Sequence, residues 1–160
     1  MSKTLVAYFS CSGITEKLAK TLSSVVHGDL YKIEPRVPYT DADLNWHDKN
    51  SRSSIEMKDM KSRPQIESKL ENMNDYDVVY VGFPIWWYVA PTIINTFLES
   101  YDFSGKIVIP FATSGMSGVG ETDKWLHPSC SKETNWRPAK RFGNVNDKIA
   151  LKSWVNGLKL

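Results

Sequence analysis

Residues Ser10 to Thr15 read S-C-S-G-I-T, between an apolar run and a segment of helical periodicity. Ser10, Ser12 and Thr15 supply hydroxyls, Gly13 permits close backbone approach, and Cys11 and Ile14 contribute backbone N–H groups. A strand entering a helix through such residues presents free N–H groups that suit an anion, most often a phosphate. No Lys or Arg lies inside the loop, so an anion there would be held by neutral donors. Read alone, the loop fits a phosphate cradle or an ordinary polar turn equally well.

Two later loops add different chemistry. Gly82-Phe-Pro-Ile-Trp-Trp-Tyr88 places Pro84, Ile85, Trp86, Trp87 and Tyr88 where a polar connection is expected. Aromatic side chains bury roughly 150–250 Å² each, so two tryptophans and a tyrosine in a loop need a planar ligand, a core or an interface to cover them. Thr113-Ser-Gly-Met-Ser-Gly-Val-Gly120 brings Thr113, Ser114, Gly115, Met116, Ser117 and Gly118 together. Its three glycines let the backbone present N–H and C=O groups to a flat ligand. Neither a Walker loop nor a G-x-G-x-x-G fingerprint is present.

The elements that position these loops alternate. Leu5–Phe9, Leu30–Glu34, Asp77–Val81 and Lys106–Ala112 read as strands, and Pro110 predicts an interruption of the ladder in the last of these. Ile14, Leu18, Leu22 and Val25 or Val26 recur at helical spacing, as do Ile93, Ile94, Phe97 and Leu98 after Pro91. A closing helix is predicted from about Asn146 to Leu158. A polar stretch from Arg36 to Gln65 holds isolated Trp46, Met57 and Met60, and its length predicts a helix near Asn50 to Lys61. Continuous apolar strands alternating with helices imply a parallel sheet covered on both faces, within one domain spanning residues 1–160. Ligands of such sheets bind beyond the carboxyl ends of the strands, where all three loops fall. A phosphate cradle, an aromatic wall and a glycine-rich edge together fit a phosphorylated planar heterocycle, with FMN the leading candidate.

On these residues the chain resembles the flavodoxin family, more closely its bacterial short flavodoxin-like subgroup. The matching stretches are Leu5 to Leu22, Tyr76 to Leu98 and Ile107 to Glu121, with N-M-N-D-Y-D-V-V-Y-V-G-F-P-I-W-W the most specific block. The resemblance implies an α/β/α sandwich around a five-stranded parallel sheet of order 2-1-3-4-5. It implies that Ser10, Ser12, Gly13, Ile14 and Thr15 hold an FMN phosphate, with Cys11 touching it through its backbone. Pro84, Ile85, Trp86 and Trp87 match the second flavin-contacting loop; Thr113, Ser114, Gly115, Ser117 and Gly118 match the third. Met116 stands where the subgroup usually has Gly. The family's electron carriers are generally acidic, whereas this chain has a formal charge of +2, which argues against the usual basic partners.

The implied role is electron transfer with FMN. The partner is a redox protein or a small quinone-like acceptor, and the protein a monomer or weak dimer. An NAD(P)H:quinone-type FMN reductase of the same fold is the alternative, and a non-enzymatic binding module the remote one. No side chain reads as an essential acid or base, and His27, His47 and His127 lie outside the loops. A phosphatase using Cys11 would need Arg where Lys17 stands. Scattered Lys and Arg argue against nucleic acid. Two cysteines without metal spacing argue for a reducing compartment, the cytoplasm, and against a metal site. The uncharged stretch Val78 to Leu98 is interrupted by Gly82, Pro84, Pro91 and Asn95, which argues against a membrane span; a strand starting near Thr4 leaves no room for a signal peptide.

Overall fold

A computed structural model describes residues 3–114 and 117–160. The chain runs β1 (Thr4–Tyr8), α1 (Ile14–Val26), β2 (Asp29–Lys32), α2 (Arg52–Lys58), β3 (Val78–Pro84) and α3 (Thr92–Glu99). It continues through β4 (Ile107–Thr113), α4 (Thr122–Leu126), β5 (Asn135–Trp136), β6 (Lys140–Phe142) and α5 (Lys148–Gly157).

All ladders of the sheet are parallel, in the order β2-β1-β3-β4, with the fifth position split between two short strands. β5 pairs with Ile107 and Val108 at the start of β4, and β6 pairs with Phe111, Ala112 and Thr113 at its end. Pro110, which has no N–H to donate, falls in the gap between them. The predicted interruption is therefore on the outer side of β4. On the inner side the register with β3 is continuous, Val81 facing Pro110. The order is that of the flavodoxin-like sandwich.

The strands read as unbroken apolar runs because successive side chains feed two cores. Leu5, Ala7, Val79, Val81, Phe83 and Val108 join one cluster with α3, whose Ile93, Ile94, Phe97 and Leu98 are fully buried. Val6, Tyr8, Tyr80, Ile109 and Phe111 join the other, with Leu18 and Leu22 of α1 and Leu151 of α5. Burying a Leu, Ile or Phe contributes roughly 1.5–3 kcal/mol, so the interior of α3 is its principal anchor. Ile14, placed on the apolar face of α1 by periodicity, is exposed: it lies in the first turn, beyond the edge of the sheet. β3 also runs three residues further than expected, taking Gly82, Phe83 and Pro84 into the strand. Gly82 is required there, since a Cβ would stand 2.2 Å from Phe111 Cζ.

The polar stretch 36–65 is an excursion closed at its neck by an antiparallel bridge between Pro35 and Ile66. Arg36 N donates to Gln65 O (2.8 Å) and Glu67 N to Glu34 O (2.8 Å). It folds back on the body, where Arg63 forks onto Glu99 (3.0 Å to each oxygen) and the Ser62 and Thr92 hydroxyls are 2.8 Å apart.

Candidate functional site

The loops after β1, β3 and β4 meet at Thr113. Its hydroxyl lies 2.7 Å from that of Thr15, both side chains being buried. Its carbonyl accepts from Ile85 N (3.0 Å), and it faces Pro84 across the ladder. One residue at the end of β4 thus ties the first loop, the second and the third.

In the first loop Gly13 adopts the left-handed conformation (φ 90°) as the N-cap of α1, with open space where a Cβ would stand. Ser10 Oγ accepts from Gly13 N (3.1 Å) and fixes the turn. The first helical bond is Lys17 N to Gly13 O (3.0 Å), so the N–H groups of Ile14, Thr15 and Glu16 precede the helical ladder. Cys11, Ser12, Gly13 and Ile14 are exposed and Ser10 half-buried. The nearby acid, Glu16, is engaged by Lys20 (3.1 Å) and Lys32 (3.7 Å), and the Lys20 hydrogen bond holds its carboxyl below the usual range.

Cys11 is exposed as a residue, yet its thiol is pushed up to about 11. Desolvation is the main cause; Arg52 opposes it and Glu56 adds to it. The sulfur therefore feels the excursion. At neutral pH it is a protonated, weakly reactive thiol.

The second loop divides its aromatics. Trp86 is half-buried, edge-on to Phe9 (5.8 Å) and Tyr39 (5.5 Å). Trp86 N donates to Val89 O (3.0 Å) and Val89 N to Trp86 O (3.2 Å), so Trp87 and Tyr88 form a two-residue turn. Both are left-handed, at φ 50° and 67°. Such a turn normally takes Asn-Gly. For bulky residues it stores on the order of 1–3 kcal/mol each, a cost that recurs at ligand clamps. The turn directs Trp87 and Tyr88 outward, 44% and 63% exposed.

In the third loop Ser114 O accepts from Arg141 Nη2 (2.9 Å) on β6. Ser117 is half-buried and Gly118 exposed; Gly115 and Met116 lie outside the described residues. Gly120, at φ 50°, packs on the aromatic turn so closely that a Cβ would be 2.4 Å from Tyr88 O.

Periodicity and spacing missed the contribution of the excursion. Tyr39 donates to Glu56 and lies beneath the Arg52 guanidinium, 3.7 Å from its ring centre. Its ring also packs on Phe9 (5.7 Å), linking the excursion to the ends of β1 and β3. Burial raises the Tyr39 phenol strongly, with the Glu56 hydrogen bond second. Trp46 and Met57 meet Trp87 around a cleft of about 200 Å³, with Lys49, Lys58 and Ser54. The isolated Trp46, Met57 and Met60 in a polar run were the available signal.

His47 and His127 are exposed and stack on Trp46 (3.7 Å) and Trp136 (4.4 Å); His27 caps the end of α1. Among the described residues no cluster of His, Cys, Asp and Glu could hold a metal, and no helix is long and apolar enough to cross a membrane.

A parallel three-layer sandwich whose site gathers beyond the carboxyl ends of β1, β3 and β4 defines the flavodoxin-like class of α/β proteins. The flavodoxin family profile matches residues 3–158, and the chain belongs to that family. It is 48% identical to a putative flavoprotein of Bacteroides eggerthii, over 100% of this chain and 99% of that one, with a TM-score of 0.93. A putative flavoprotein of Bacteroides uniformis is 51% identical over 97% and 98% of the two chains, at a TM-score of 0.90. A flavoprotein of Lactobacillus acidophilus, solved in complex with FMN, shares the fold at 24% identity, over 97% and 99% of the two chains, with a TM-score of 0.73. Among curated proteins no match was found.

Proposed function

We propose that this chain binds FMN and serves in electron transfer within the reducing cytoplasm. The observation that carries the reading is the junction at Thr113, which joins a neutral anion cradle to an aromatic turn and a glycine-rich edge. Ser10, Cys11, Ser12, Gly13, Ile14 and Thr15 would form the phosphate cradle, with backbone N–H groups other than that of Gly13, which Ser10 already engages, and the Ser12 hydroxyl as donors. Thr15's hydroxyl already ties the loop to Thr113, and Ser10's already fixes the turn, so both act by organising the cradle. Pro84, Ile85, Trp86, Trp87 and Tyr88, with Thr113, Ser114, Gly115, Met116, Ser117 and Gly118, would flank the ring. FMN, when bound, supplies the redox chemistry. The residues bind it, exclude water and set the charge around it. Two free cysteines, Cys11 and Cys130, support a reducing compartment.

Ser12→Asp tests the reading, because Ser12 is exposed and its replacement sets a carboxylate beside the phosphate. FMN affinity should fall on the order of 100-fold, with riboflavin affinity changed less than about threefold, since like charges in a site cost several kcal/mol. Quenching of flavin fluorescence on binding measures both. Equal losses would sink the phosphate assignment, and a wild-type protein that takes up no FMN would sink the whole reading.

A further inference from the structure

A cleft of about 240 Å³ separates the first loop from the neck of the excursion. Ser10 and Cys11 line it from the loop, Pro38 and Tyr39 from the excursion, and Lys32 and Glu34 from the end of β2. Arg52 is fixed to the excursion's share of that lining. Its guanidinium lies 3.7 Å from the Tyr39 ring centre, and its Nη1 donates to Val37 O (2.6 Å). We propose that Arg52 is a specificity-determining residue of the phosphate end: its held positive charge acts across the cleft on an anion in the cradle, without touching it, and so favours a phosphorylated flavin over the same ring without its phosphate. Glu56 sets how much of that charge the cradle feels. The proposal rests on the FMN reading above and adds to it a residue that lies outside all three loops.

Three observations lead there. The first loop contains no cation, and those nearest it in the chain and on β2 are occupied or solvated. Lys20 and Lys32 hold Glu16, Lys32 also lies 3.9 Å from Glu34, and Lys17 is exposed. Arg52, by contrast, is anchored on three sides, by the Tyr39 ring, by Val37 O and by Glu56 Oε2, which accepts from its Nε (3.0 Å). Its Nη2 donates to no described residue. The Arg52 and Glu56 side chains are 22% and 14% exposed, so salt and solvent screen them less than they screen surface lysines. A guanidinium held in place before the ligand arrives needs no ordering when it binds. Finally, the ion pair is not electrically silent at the loop. Arg52 and Glu56 both act on the Cys11 thiol, with opposite signs, and the effect of Arg52 is the larger. The residual field of the pair at the cradle is therefore positive.

The test measures FMN and riboflavin affinities of the full chain, stripped of flavin, by fluorescence quenching, and reads the ratio of the two. Arg52→Met keeps an unbranched apolar stem over Tyr39 and removes the charge. It should lower the ratio about three- to tenfold, as expected of one charge acting through partly solvated surroundings. Arg52→Lys, which restores the charge, should keep the ratio within about twofold of the wild type. Glu56→Gln leaves an acceptor for the Tyr39 phenol and should raise the ratio by about two- to fivefold, since the opposing charge is gone. Riboflavin affinity should move less than about twofold in all three. Equal loss of both flavins in Arg52→Met would make Arg52 a support for Tyr39 alone and overturn the inference while leaving the FMN reading intact. A ratio that Arg52→Met leaves unchanged would overturn it too. If Arg52→Met does not fold, Glu56→Gln decides: a ratio unchanged or lowered overturns the inference. A wild-type protein that takes up no FMN would instead overturn the reading on which it rests.

Discussion

The turn after β1 and the turn after β3 stand on neighbouring strands and are tied together through Thr113, yet they are built on opposite terms. The first is polar and locally satisfied: its left-handed residue is glycine, and Ser10 closes the turn with its own hydroxyl. The second puts a tryptophan and a tyrosine in the left-handed region, where glycine and asparagine belong. An anion can be held by backbone groups that an unstrained loop offers without special effort. A planar ring needs side chains standing outward from a strand end, and the left-handed turn provides that at the expense of local stability. The strain is supported by packing elsewhere, through Trp86 on Phe9 and Tyr39 and through Gly120 against Tyr88.

Gly120→Ala breaks the comparison most forcefully. A Cβ 2.4 Å from Tyr88 O and 2.8 Å from Tyr88 Cβ must push the turn or the third loop away. Overpacking of this kind costs about 1–3 kcal/mol, which for a domain of this size lowers Tm by about 2–4 °C per kcal/mol. Gly118, exposed and with nothing near its Cβ position, is the control: Gly118→Ala should stay within about 0.5 kcal/mol. Thermal unfolding followed by circular dichroism separates the two. Similar losses in both variants would mean that the third loop does not buttress the turn.

This contrast also explains what could be read from the chain. The turn after β1 was legible as a strand-to-helix connection because its logic is local: small hydroxylated residues, one glycine and the start of an amphipathic helix lie within six positions. The sheet was legible too, since β1, β3 and β4 are apolar on both faces and Pro110 marked the break on the outer side of β4. The conformation of Trp87 and Tyr88 was not, because two bulky aromatics argue locally against a left-handed turn, and tertiary packing overrides that preference. The excursion was least legible. Tyr39, Arg52 and Glu56 meet one another and the end of β1 only after the Pro35–Ile66 bridge has closed a thirty-residue loop, and no periodicity in residues 36–65 announces that closure. Trp86 shows the same limit: sequence places it beside Trp87 but does not show that Tyr39, far outside the loop in sequence, packs edge-on against its half-buried ring.

Tyr88→Gly sharpens the comparison with the opposite sign. Relief of the left-handed strain gains about 1–2 kcal/mol, while the freer unfolded chain of a glycine costs about 0.5–1 kcal/mol. Tyr88 is 63% exposed, so little burial is lost. The net expectation is a gain of about 0.5–1 kcal/mol, or a rise in Tm of about 1–4 °C, accompanied by weaker FMN binding. Stability and binding moving apart is the signature of strain held for a ligand. A fall in Tm would show that Tyr88 stabilises the turn it occupies.

The smallest effect is expected at Cys11, and it tests how neutral the first turn is. Its thiol feels Arg52 and Glu56 of the excursion, and desolvation pushes it up to about 11 from an ordinary value of 9.0. A raised thiol stays protonated as pH climbs through 9, so its alkylation by iodoacetamide should keep accelerating toward about pH 11. At pH 8 the thiolate fraction, and with it the rate, should be about 100-fold below that of an unperturbed cysteine, each pKa unit being a factor of ten. Because the phosphate is assigned to backbone N–H groups and the Ser12 hydroxyl, Cys11→Ala should leave FMN affinity within about threefold, under 1 kcal/mol. A thiol that alkylates rapidly at pH 7, or an alanine variant that loses FMN as Ser12→Asp is expected to, would make the sulfur part of the cradle. The division between a neutral backbone anchor and a strained aromatic wall would then fail at its simpler end.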